Sequence, residues 1–377
     1  MITRTLEQAI KERLFKGKAI IVFGARQVGK TSMLRKITQE LQEKILWLNC
    51  DEADVRELLS NTTSGRLKAL SGNNRIMVID KAQRVQNIGI TLKLISDEIK
   101  DVQLIATGSS AFELADSIKE PLTGRKYEYF LHPLAFGEMV AHTDLLSEKR
   151  MLEHRLIFGY YPEIVSSMGK EEELLKLLAG SYLYKDILML EGIKKPVLLE
   201  KILRALALQL GNEISYYEIG QLVQAKGETV EKYISLLEKT YIVFQLNAFS
   251  KNVRNEIKKG KKVYFRDNGI RNAILGNYNL LQSRTDVGAL WENFIISERM
   301  KMLENSGQSF SSWFWRTTQQ QEIDYIEERN GNLHAYEIKW NRQKAKFPLT
   351  FTNAYPECKT DLISKNNYDE FVTNGIR

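Results

Sequence analysis

The sequence that decides the fold of the N-terminal half is Gly24-Ala25-Arg26-Gln27-Val28-Gly29-Lys30-Thr31. It follows the pattern G-x-x-x-x-G-K-[ST], with an apolar stretch, residues 19–23, before it and a predicted helix, Ser32–Leu41, after it. The two glycines let the backbone bend so that its N–H groups point inward, and the helix N-terminus also favours an anion. The pattern therefore predicts a loop that cradles a polyphosphate, and the expected cofactor-binding residues are 24–31 together with Ser32.

Two side chains of this loop and one distant aspartate complete the predicted nucleotide site. Lys30 would reach the β- and γ-phosphates, and the Thr31 hydroxyl would ligate Mg²⁺, which prefers oxygen ligands. The run Ile76-Met77-Val78-Ile79-Asp80 places a carboxylate at the C-terminal end of an apolar strand. Ligands bind at this edge of an α/β sheet. We therefore expect Asp80 to hold the same metal ion and the cofactors to be ATP and Mg²⁺.

Short apolar runs alternate with helical stretches from Ala19 to about Arg125. The strand candidates are residues 19–23, 45–48, 76–79 and 102–106. They are almost wholly apolar, which is typical of strands buried on both faces of a parallel sheet. The last of them leads into Thr107-Gly108-Ser109-Ser110. One of the hydroxyls contacts the γ-phosphate or the attacking water, or these residues are only the turn that ends the strand. The predicted fold class is α/β, with a parallel sheet of the P-loop NTPase type at the N-terminus.

Composition narrows the class of protein. The chain has 377 residues, 43% of them hydrophobic and 27% charged, which is ordinary for a globular protein of two or three domains. Two distant cysteines argue against a disulfide framework, and four scattered histidines show no zinc-ligand spacing. No stretch of about 18 apolar residues occurs, so we expect no membrane span and a cytoplasmic location.

The middle of the chain has the layout of a winged helix-turn-helix. Helices are predicted at Leu198–Gly211, Tyr216–Ala225 and Thr229–Thr240, followed by strands at Tyr241–Phe249 and Lys261–Arg266. The loop between these strands would be the wing, and its basic residues are Arg254, Lys258, Lys259, Lys261 and Lys262.

Charge in this region indicates a backbone contact rather than base recognition. Between Lys251 and Arg271 there are eight basic and two acidic residues, an excess of 8 − 2 = +6 in a chain of net charge +7. Such a concentration fits a contact with a nucleic-acid backbone, but a solvated surface hairpin has the same composition. The candidate recognition helix is not basic, because it carries Glu228, Glu231 and Glu238 against Lys232 and Lys239.

A second group of chemical residues lies near the C-terminus. Strands are predicted at Ser312–Arg316, Glu322–Glu327 and Leu333–Trp340, with a hairpin turn at Asn330-Gly331. Glu337 and Lys339 are two residues apart on a strand and share a face, and Asp324 on the preceding strand can approach them. Two carboxylates make a Mg²⁺ site, and the lysine can orient or activate a water. An exposed charged hairpin is the alternative.

These motifs together resemble the AAA-superfamily ATPases of bacteria and archaea that carry a fused C-terminal domain of unknown function, DUF4143-like. The resemblance rests on the phosphate loop, Ile79–Gly89, Thr107–Ser110, Leu122–Arg125 and Leu131–Leu134, and it extends to Gln209–Asn212, Val263–Asp267 and Trp315–Thr317. The D…E-x-K pattern resembles the PD-(D/E)xK nuclease fold, and Glu292 resembles the additional helix-borne acid of such nucleases. The resemblance implies catalytic roles for Glu292, Asp324, Glu337 and Lys339.

Two positions bear on ATP hydrolysis. In the family, Asp-Glu ends the Mg²⁺ strand and the glutamate polarises the attacking water, whereas this chain has Asp80-Lys81. A protonated lysine cannot accept a proton, so we expect slow hydrolysis unless Gln83 or another group positions the water. Arg125 would act as an arginine finger or sensor, in cis or from a neighbouring subunit, or would be a surface arginine.

The sequence thus predicts three domains: an ATP-binding domain at 1–180, a helical linker and winged-helix domain at 181–270, and an α/β nuclease-like domain at 271–377. Our first hypothesis is an ATP-binding protein that engages DNA or another nucleic acid. The second is a nucleotide-gated switch or scaffold without catalytic turnover, whose partner is another protein or a second copy of the chain. Salt-dependent DNA binding separates the two.

Overall fold

The structure, a computed structural model, describes residues 1–108, 118, 121–183, 195–250 and 260–373. These residues group into two compact units. The first comprises residues 1–133 and 239–241, and the second comprises 134–183, 195–238, 242–250 and 260–373. Within the described ranges, no helix combines the length and the apolar character needed to cross a membrane.

The first unit is built on a five-stranded parallel sheet in the order β2-β3-β4-β1-β5. Its strands are β1 (Ala19–Phe23), β2 (Ile45–Asn49), β3 (Ile76–Asp80), β4 (Gln103–Gly108) and β5 (Lys126–Phe130). The predicted parallel sheet is confirmed. The sequence analysis missed β5, because this edge strand is only half-buried and its residues, KYEYF, are not uniformly apolar.

Helices flank this sheet and bury its apolar strands. They are α1 (Leu6–Arg13), α2 (Lys30–Glu40), α3 (Ala53–Leu59), α4 (Ser64–Ser71) and α5 (Ile88–Glu98), with a 3-10 helix at Ala82–Arg84. The core contains side chains from β3 such as Met77 and Ile79 and side chains from α5 such as Leu92 and Ile95, all without exposed surface. Continuous apolar strands therefore become the buried centre of the unit, as their composition requires.

The second unit begins with helices. In the described ranges they are α6 (Phe136–His142), α7 (Leu145–Arg150), α8 (Leu152–Phe158), α9 (Pro162–Val165), α10 (Glu171–Leu177), α11 (Pro196–Leu208), α12 (Tyr216–Val223), α13 (Gly227–Lys239), α14 (Asn268–Leu275), α15 (Val287–Asn305), α16 (Leu349–Ala354) and α17 (Tyr368–Thr373), with a π-helix at Leu178–Leu183 and a 3-10 helix at Leu281–Ser283. The helix α14 shows why such segments start where they do, because the Asp267 side chain caps it by accepting a hydrogen bond from Ile270 N at 3.1 Å.

A seven-stranded mixed sheet completes the second unit, in the order β12-β11-β10-β9-β7-β8-β6. Its strands are β6 (Glu213–Ile214), β7 (Val243–Ala248), β8 (Lys261–Phe265), β9 (Phe310–Arg316), β10 (Glu322–Arg329), β11 (Asn332–Ile338) and β12 (Lys359–Ile363). The β10–β11 hairpin turns at Asn330-Gly331, where φ is 51° and 75°. Positive φ at both residues is what an Asn-Gly hairpin turn requires.

One strand pairing joins the central region to the C-terminal strands. The strands β7 and β8 form the antiparallel ribbon that the sequence predicts, and α11 to α13 precede it. However, β7 also pairs in parallel with β9, matching Asn247 with Trp313 and Ala248 with Phe314. Strands on both sides of residue 270, the predicted domain boundary, therefore lie in one sheet. The winged-helix assignment and the three-domain division stay predictions.

The basic stretch at 251–271 is not an exposed positive surface in its described part. Residues 251–259, which include Arg254, Lys258 and Lys259, lie outside the described residues. Lys262, which the sequence analysis placed in the wing, is instead buried in the sheet beside Glu292 and Glu322. Arg271 is likewise buried and pairs with Asp286 at 2.5 Å. Two of the basic side chains in the described part of this stretch are therefore buried and paired with carboxylates. The expectation that Lys262 lies in an exposed wing is wrong.

A buried ion pair connects α15 to the centre of the C-terminal sheet. Arg299 donates to both carboxylate oxygens of Glu327, at 3.0 and 2.6 Å, and to the Phe371 carbonyl at 2.5 Å. The Tyr336 hydroxyl donates to the same carboxylate at 3.2 Å. The side chains of Arg299 and Glu327 are 3% and 0% exposed. Arg329 Nε also lies 2.9 Å from Glu327 Oε1, so loss of Arg299 would leave Glu327 with one cation, whereas loss of Glu327 would leave the buried Arg299 without its carboxylate.

We predict that Glu327→Ala lowers the free energy of unfolding of the second unit by roughly 3–5 kcal/mol, because it strands the Arg299 guanidinium. Denaturant unfolding followed by tryptophan fluorescence measures this, since four of the five tryptophans belong to that unit. Glu172→Ala is the matched control, because it breaks the exposed pair with Lys176. The control should change stability by less than about 1 kcal/mol. Equal effects of both substitutions would contradict the prediction.

Candidate functional site

The predicted phosphate loop connects β1 to α2, as its spacing requires. Gly24 has φ 153°, and a Cβ there would lie 2.3 Å from the Leu131 carbonyl oxygen. Gly29, just before the helix, has φ 96°, and Gln27 has φ 62°. The two glycines of the motif are thus needed for close backbone approach and for a left-handed turn. Ala25 and Val28 are buried, while Arg26 is half-buried and Ser32 is exposed in the first turn of α2.

The Lys30 side chain folds over the loop that precedes it. Its ammonium donates to the carbonyl oxygens of Gly24 at 2.7 Å and Ala25 at 2.8 Å. The ammonium therefore lies at the mouth of the loop, at the N-terminus of α2. This is the place where the sequence predicts contact with the β- and γ-phosphates.

Three oxygen-bearing side chains meet at the C-terminal edge of the parallel sheet. Thr31 donates from its hydroxyl to one carboxylate oxygen of Asp80 at 2.9 Å, and Thr107 donates to the other at 2.5 Å. Asp80 is 4% exposed and Thr107 is fully buried. The predicted juxtaposition of Thr31 and Asp80 is thus present, and their oxygens suit a hard cation. Thr107 orients the carboxylate, whereas Ser109 and Ser110 lie outside the described residues.

Lys81 follows Asp80 in the chain, and its ammonium pairs with a carboxylate outside the phosphate loop. Its backbone has φ 60°, and its N–H donates to the Thr107 hydroxyl at 3.0 Å. Its ammonium forms a salt bridge with Asp51, which follows β2 and also contacts Arg84 Nε at 3.0 Å. Burial raises the pKa of Asp51, but Lys81 and Arg84 outweigh it and leave that pKa below its usual value. This carboxylate is consequently a weak base.

The sequence analysis missed one residue that supports the loop. Arg4 is buried, and its guanidinium donates to the carbonyl oxygens of Val28 and His132, each at 2.7 Å. It therefore fixes the middle of the phosphate loop against the segment after β5. No local pattern could reveal this, because the contacts join residues 24 and 128 positions apart.

Arg125 lies at the other edge of the sheet. It precedes β5, and its carbonyl accepts the Ala19 N–H at the start of β1, whereas the phosphate loop follows the end of β1. Its Nε donates to Asp97 at 2.7 Å, and its side chain is 44% exposed. The fold thus does not bring Arg125 to the loop of its own chain, which corrects the cis half of the arginine-finger hypothesis. Action on a neighbouring subunit stays a prediction.

The predicted C-terminal residues do come together. The Lys339 ammonium contacts Asp324 Oδ2 at 2.6 Å and Glu337 Oε2 at 2.9 Å. Asp324 also accepts the backbone N–H of Ile338 at 2.7 Å, which ties it to β11. Both carboxylates are buried, while the lysine side chain is 31% exposed. The lysine ammonium occupies the place between two carboxylates that a metal cation could take.

The helix-borne acid lies in the same cluster, with partners that the sequence analysis did not assign. Glu292 on α15 accepts a hydrogen bond from the Tyr264 hydroxyl at 2.6 Å and lies 3.4 Å from Lys262 Nζ. The same ammonium also forms a salt bridge with Glu322 of β10. Alternation in β8 is the signal that could have found these partners, because Lys262 and Tyr264 share a face.

Burial and crowding change the acidity of this cluster. Burial, and next the nearby Asp324 carboxylate, raise the pKa of Glu337 to about 7. Burial also raises the pKa of Glu292, and Lys262 opposes that rise. Burial acts to lower the pKa of Lys339, but Asp324 and Glu337 outweigh it, so that pKa is raised. Glu337 therefore loses its proton as the pH rises through about 7, and the negative charge beside Lys339 then grows.

The donor set fits a cation held by two carboxylates rather than by three. Among the residues that the structure describes, no group of three or more His, Cys, Asp or Glu side chains is arranged to hold a metal ion. Asp324 and Glu337 are the pair that share a cation, here the Lys339 ammonium. Mg²⁺ keeps several waters and needs only one or two carboxylates, so this pair suits it.

Comparison with known families assigns three segments of the chain. Residues 16–140 match the family described as an AAA domain, residues 149–280 match a domain of unknown function (DUF8612), and residues 287–375 match a domain of unknown function (DUF4143). The first match contains the phosphate loop and Asp80, and the third contains Glu292, Asp324, Glu337 and Lys339.

Proteins from two bacteria are similar to this chain over most of its length. An uncharacterized protein of Mycobacterium tuberculosis is 22% identical over 336 residues, covering 88% of this chain and 72% of that protein. An uncharacterized protein of Haemophilus influenzae is 23% identical over 386 residues, and the match covers 94% of this chain and 91% of that protein.

Among solved structures, the Walker-type ATPase of Pyrococcus abyssi is similar over 73% of this chain and 96% of that one, with a TM-score of 0.48 and 17% identity. The two family matches at the ends of the chain agree with the resemblance seen in the motifs. The chain therefore contains an N-terminal segment that matches an AAA domain family and a C-terminal segment that matches the DUF4143 family.

Proposed function

We propose that this chain binds ATP with Mg²⁺ at residues 24–31 and hydrolyses it slowly. The observation that carries the proposal is the position of Asp80, which two hydroxyls hold at the mouth of the loop. A buried carboxylate that accepts a hydrogen bond from the first turn of α2 suits a site for a chelated metal. The match to the AAA domain family, which implies nucleotide binding, supports the same conclusion.

Each side chain has a distinct task in this site. Lys30 exchanges its bonds to the loop carbonyls for bonds to the β- and γ-phosphates, and the loop N–H groups enclose those phosphates. Thr31 and Asp80 supply oxygen ligands for Mg²⁺, directly or through water. When bound, Mg²⁺ neutralises charge on the phosphates. Arg4 keeps the loop in shape by holding the Val28 carbonyl.

Hydrolysis is slow in this proposal because the residue after Asp80 is a lysine, so this position lacks the glutamate that would accept a proton from the attacking water. Position 81 carries a cation, and its ammonium is paired with Asp51. Asp51 itself is paired twice and has a lowered pKa. General-base assistance typically contributes about 10²- to 10⁴-fold to such a reaction, so its absence leaves mainly positioning and electrostatic stabilisation.

We predict that Lys30→Ala weakens MgATP binding roughly tenfold to a hundredfold, because it removes charge-assisted hydrogen bonds to the phosphates. Isothermal calorimetry on the full chain measures the dissociation constant. Lys44→Ala is the control, since it removes an exposed lysine of the same unit. Unchanged binding by the Lys30 variant, or no affinity of the native chain for any purine nucleotide, would remove the proposal.

We predict that Lys81→Glu raises the turnover number for ATP by roughly 10²-fold, because it supplies a carboxylate that can accept a proton from the attacking water. Steady-state phosphate release measures this. Lys81→Gln is the matched control, since it also breaks the pair with Asp51 but adds no base. Rapid turnover by the native chain, with no gain from glutamate over glutamine, is the result that contradicts the prediction.

A second activity is supported at the C-terminal cluster. We propose that the second unit contacts nucleic acid and that Asp324, Glu337 and Lys339 form a metal-dependent site for phosphodiester hydrolysis. The supporting observation is the Lys339 ammonium, held within 2.9 Å of both carboxylates. Asp324 and Glu337 would hold a divalent cation, which would polarise the phosphate and lower the pKa of water. Lys339 would stabilise the negative charge of the phosphate.

A protein partner is the alternative for the middle of the chain. The exposed side of α13 presents Glu228, Glu231 and Glu238 in one polar cleft with Lys232 and Lys261. Glutamates on that face repel a phosphate backbone and favour a basic protein surface. Under this alternative, nucleotide binding switches the protein between states and no nucleic acid is cleaved.

We predict that labelled DNA is cleaved in the presence of Mg²⁺ and that Asp324→Ala abolishes cleavage, because one of two carboxylate ligands is lost. Lys30→Ala should leave cleavage intact. Asp361→Ala is the matched control, an exposed carboxylate on the neighbouring strand β12. Gel analysis measures cleavage, and titration at two salt concentrations measures binding. Salt-insensitive binding, with no Asp324-dependent product, would favour the protein-partner alternative.

A further inference from the structure

A lysine outside the D…E-x-K pattern is locked inside the C-terminal cluster. Lys262 is 1% exposed, although lysine is among the side chains least often fully buried. Its ammonium forms a salt bridge with Glu322 and lies 3.4 Å from Glu292 Oε1. Tyr264, two residues along the same strand, donates to that same Glu292 oxygen at 2.6 Å. The strand β8 therefore contributes a permanent cation and a hydroxyl donor to the cluster.

The cluster consists of two similar halves. In one half, Lys339 lies between Asp324 and Glu337, and in the other, Lys262 lies between Glu292 and Glu322. Asp324 and Glu322 are two residues apart on β10. Burial acts to lower the pKa of Lys262, but the carboxylates of both halves, Asp324 included, outweigh it, so the halves are neighbours. Four carboxylates on three elements thus share two ammonium groups, each placed between a pair of oxygens.

The two lysines differ in how easily their ammonium groups can move away from the carboxylates. The Lys339 side chain is 31% exposed, so its flexible stem can carry the ammonium toward solvent or toward a bound phosphate. Lys262 is 1% exposed and has no such route without leaving a charge unpaired in the interior. A cation can therefore displace Lys339 from its carboxylates but cannot displace Lys262 from Glu292 and Glu322.

We propose that the Lys262 ammonium permanently fills the second of two cation positions, so that the site takes a single divalent ion between Asp324 and Glu337. This inference rests on the proposed metal-dependent site. Clusters of neighbouring carboxylates commonly hold two metal ions about 3.5–4 Å apart. Here the second position is charged already, and Glu292, which the motif would offer as a ligand, is held by Lys262 and Tyr264. The substrate class is unchanged, but catalysis has one metal ion and one fixed ammonium.

Counting bound Mn²⁺ tests this inference. Calorimetric titration of the full chain without nucleotide is compared with Asp324→Asn, and the difference gives the ions that depend on the C-terminal cluster. We expect one such ion in the native chain and two in Lys262→Met, with the second lost again when Glu292→Gln is added. Electron paramagnetic resonance should show coupling between two Mn²⁺ ions in the Lys262→Met variant only.

Each outcome decides a separate question. Two Asp324-dependent ions in the native chain, or one in Lys262→Met, would overturn the role of Lys262 alone. No Asp324-dependent ion in the native chain would instead overturn the proposed metal site on which the inference rests. If Lys262→Met does not fold, Mn²⁺ should restore its thermal transition, because the ion replaces the missing ammonium. Failure of Mn²⁺ to restore folding would also overturn the inference, and Lys262→Arg should fold and bind one ion.

Discussion

The interaction on which the C-terminal half depends is the one between two ammonium groups and the carboxylates around them. Lys262 can be buried only because Glu292 and Glu322 pair with it, and the partly exposed Lys339 is held in the same way by Asp324 and Glu337. These six side chains come from four parts of the chain, so the ionic contacts require β8, α15, β10 and β11 to meet in one place. Pairing of β7 with β9 makes this possible, because it joins the two sets of strands in one sheet. The cluster is thus a consequence of topology, and its chemistry cannot be separated from the packing of the sheet.

In the N-terminal half, the parallel direction of the strands brings the site residues together. All five strands point the same way, so the residues that follow β1, β3 and β4 meet at one edge. The Asp80 carboxylate, between the Thr31 and Thr107 hydroxyls, marks that edge. Arg125 precedes its strand and for that reason lies at the opposite edge. The same rule of strand direction therefore assembles the nucleotide site and excludes one of the residues that sequence resemblance had assigned to it.

The sequence predicted what depends on local patterns and missed what depends on distant contacts. The phosphate loop, the apolar strands of the parallel sheet and the Asn330-Gly331 turn have short-range signals, and all are present in the structure. The strand β5 was missed because an edge strand need not be apolar. Arg4 and Lys262 were missed because their roles arise from partners far along the chain, at 128 residues for the His132 carbonyl and 30 residues for Glu292. Composition placed Lys262 in a basic wing, and only the pairing of strands reveals that it faces inward.

Lysines at positions 81 and 262 both occupy places where a carboxylate or a metal ion would be expected, yet their energetic situations differ. The pair of Lys81 with Asp51 is over a third exposed on each side, so it contributes little to stability. Replacement at position 81 can therefore change the rate of ATP hydrolysis with little effect on the fold. Lys262 is buried between two carboxylates, and its replacement alters folding and ion binding together. Under the proposed function, turnover at the nucleotide site would thus be adjustable through a single surface residue. Under the proposed metal site, the number of cations in the C-terminal cluster would be determined by the same contacts that hold the sheet together, so a change in metal stoichiometry would require a cation to take over the structural role of the lysine.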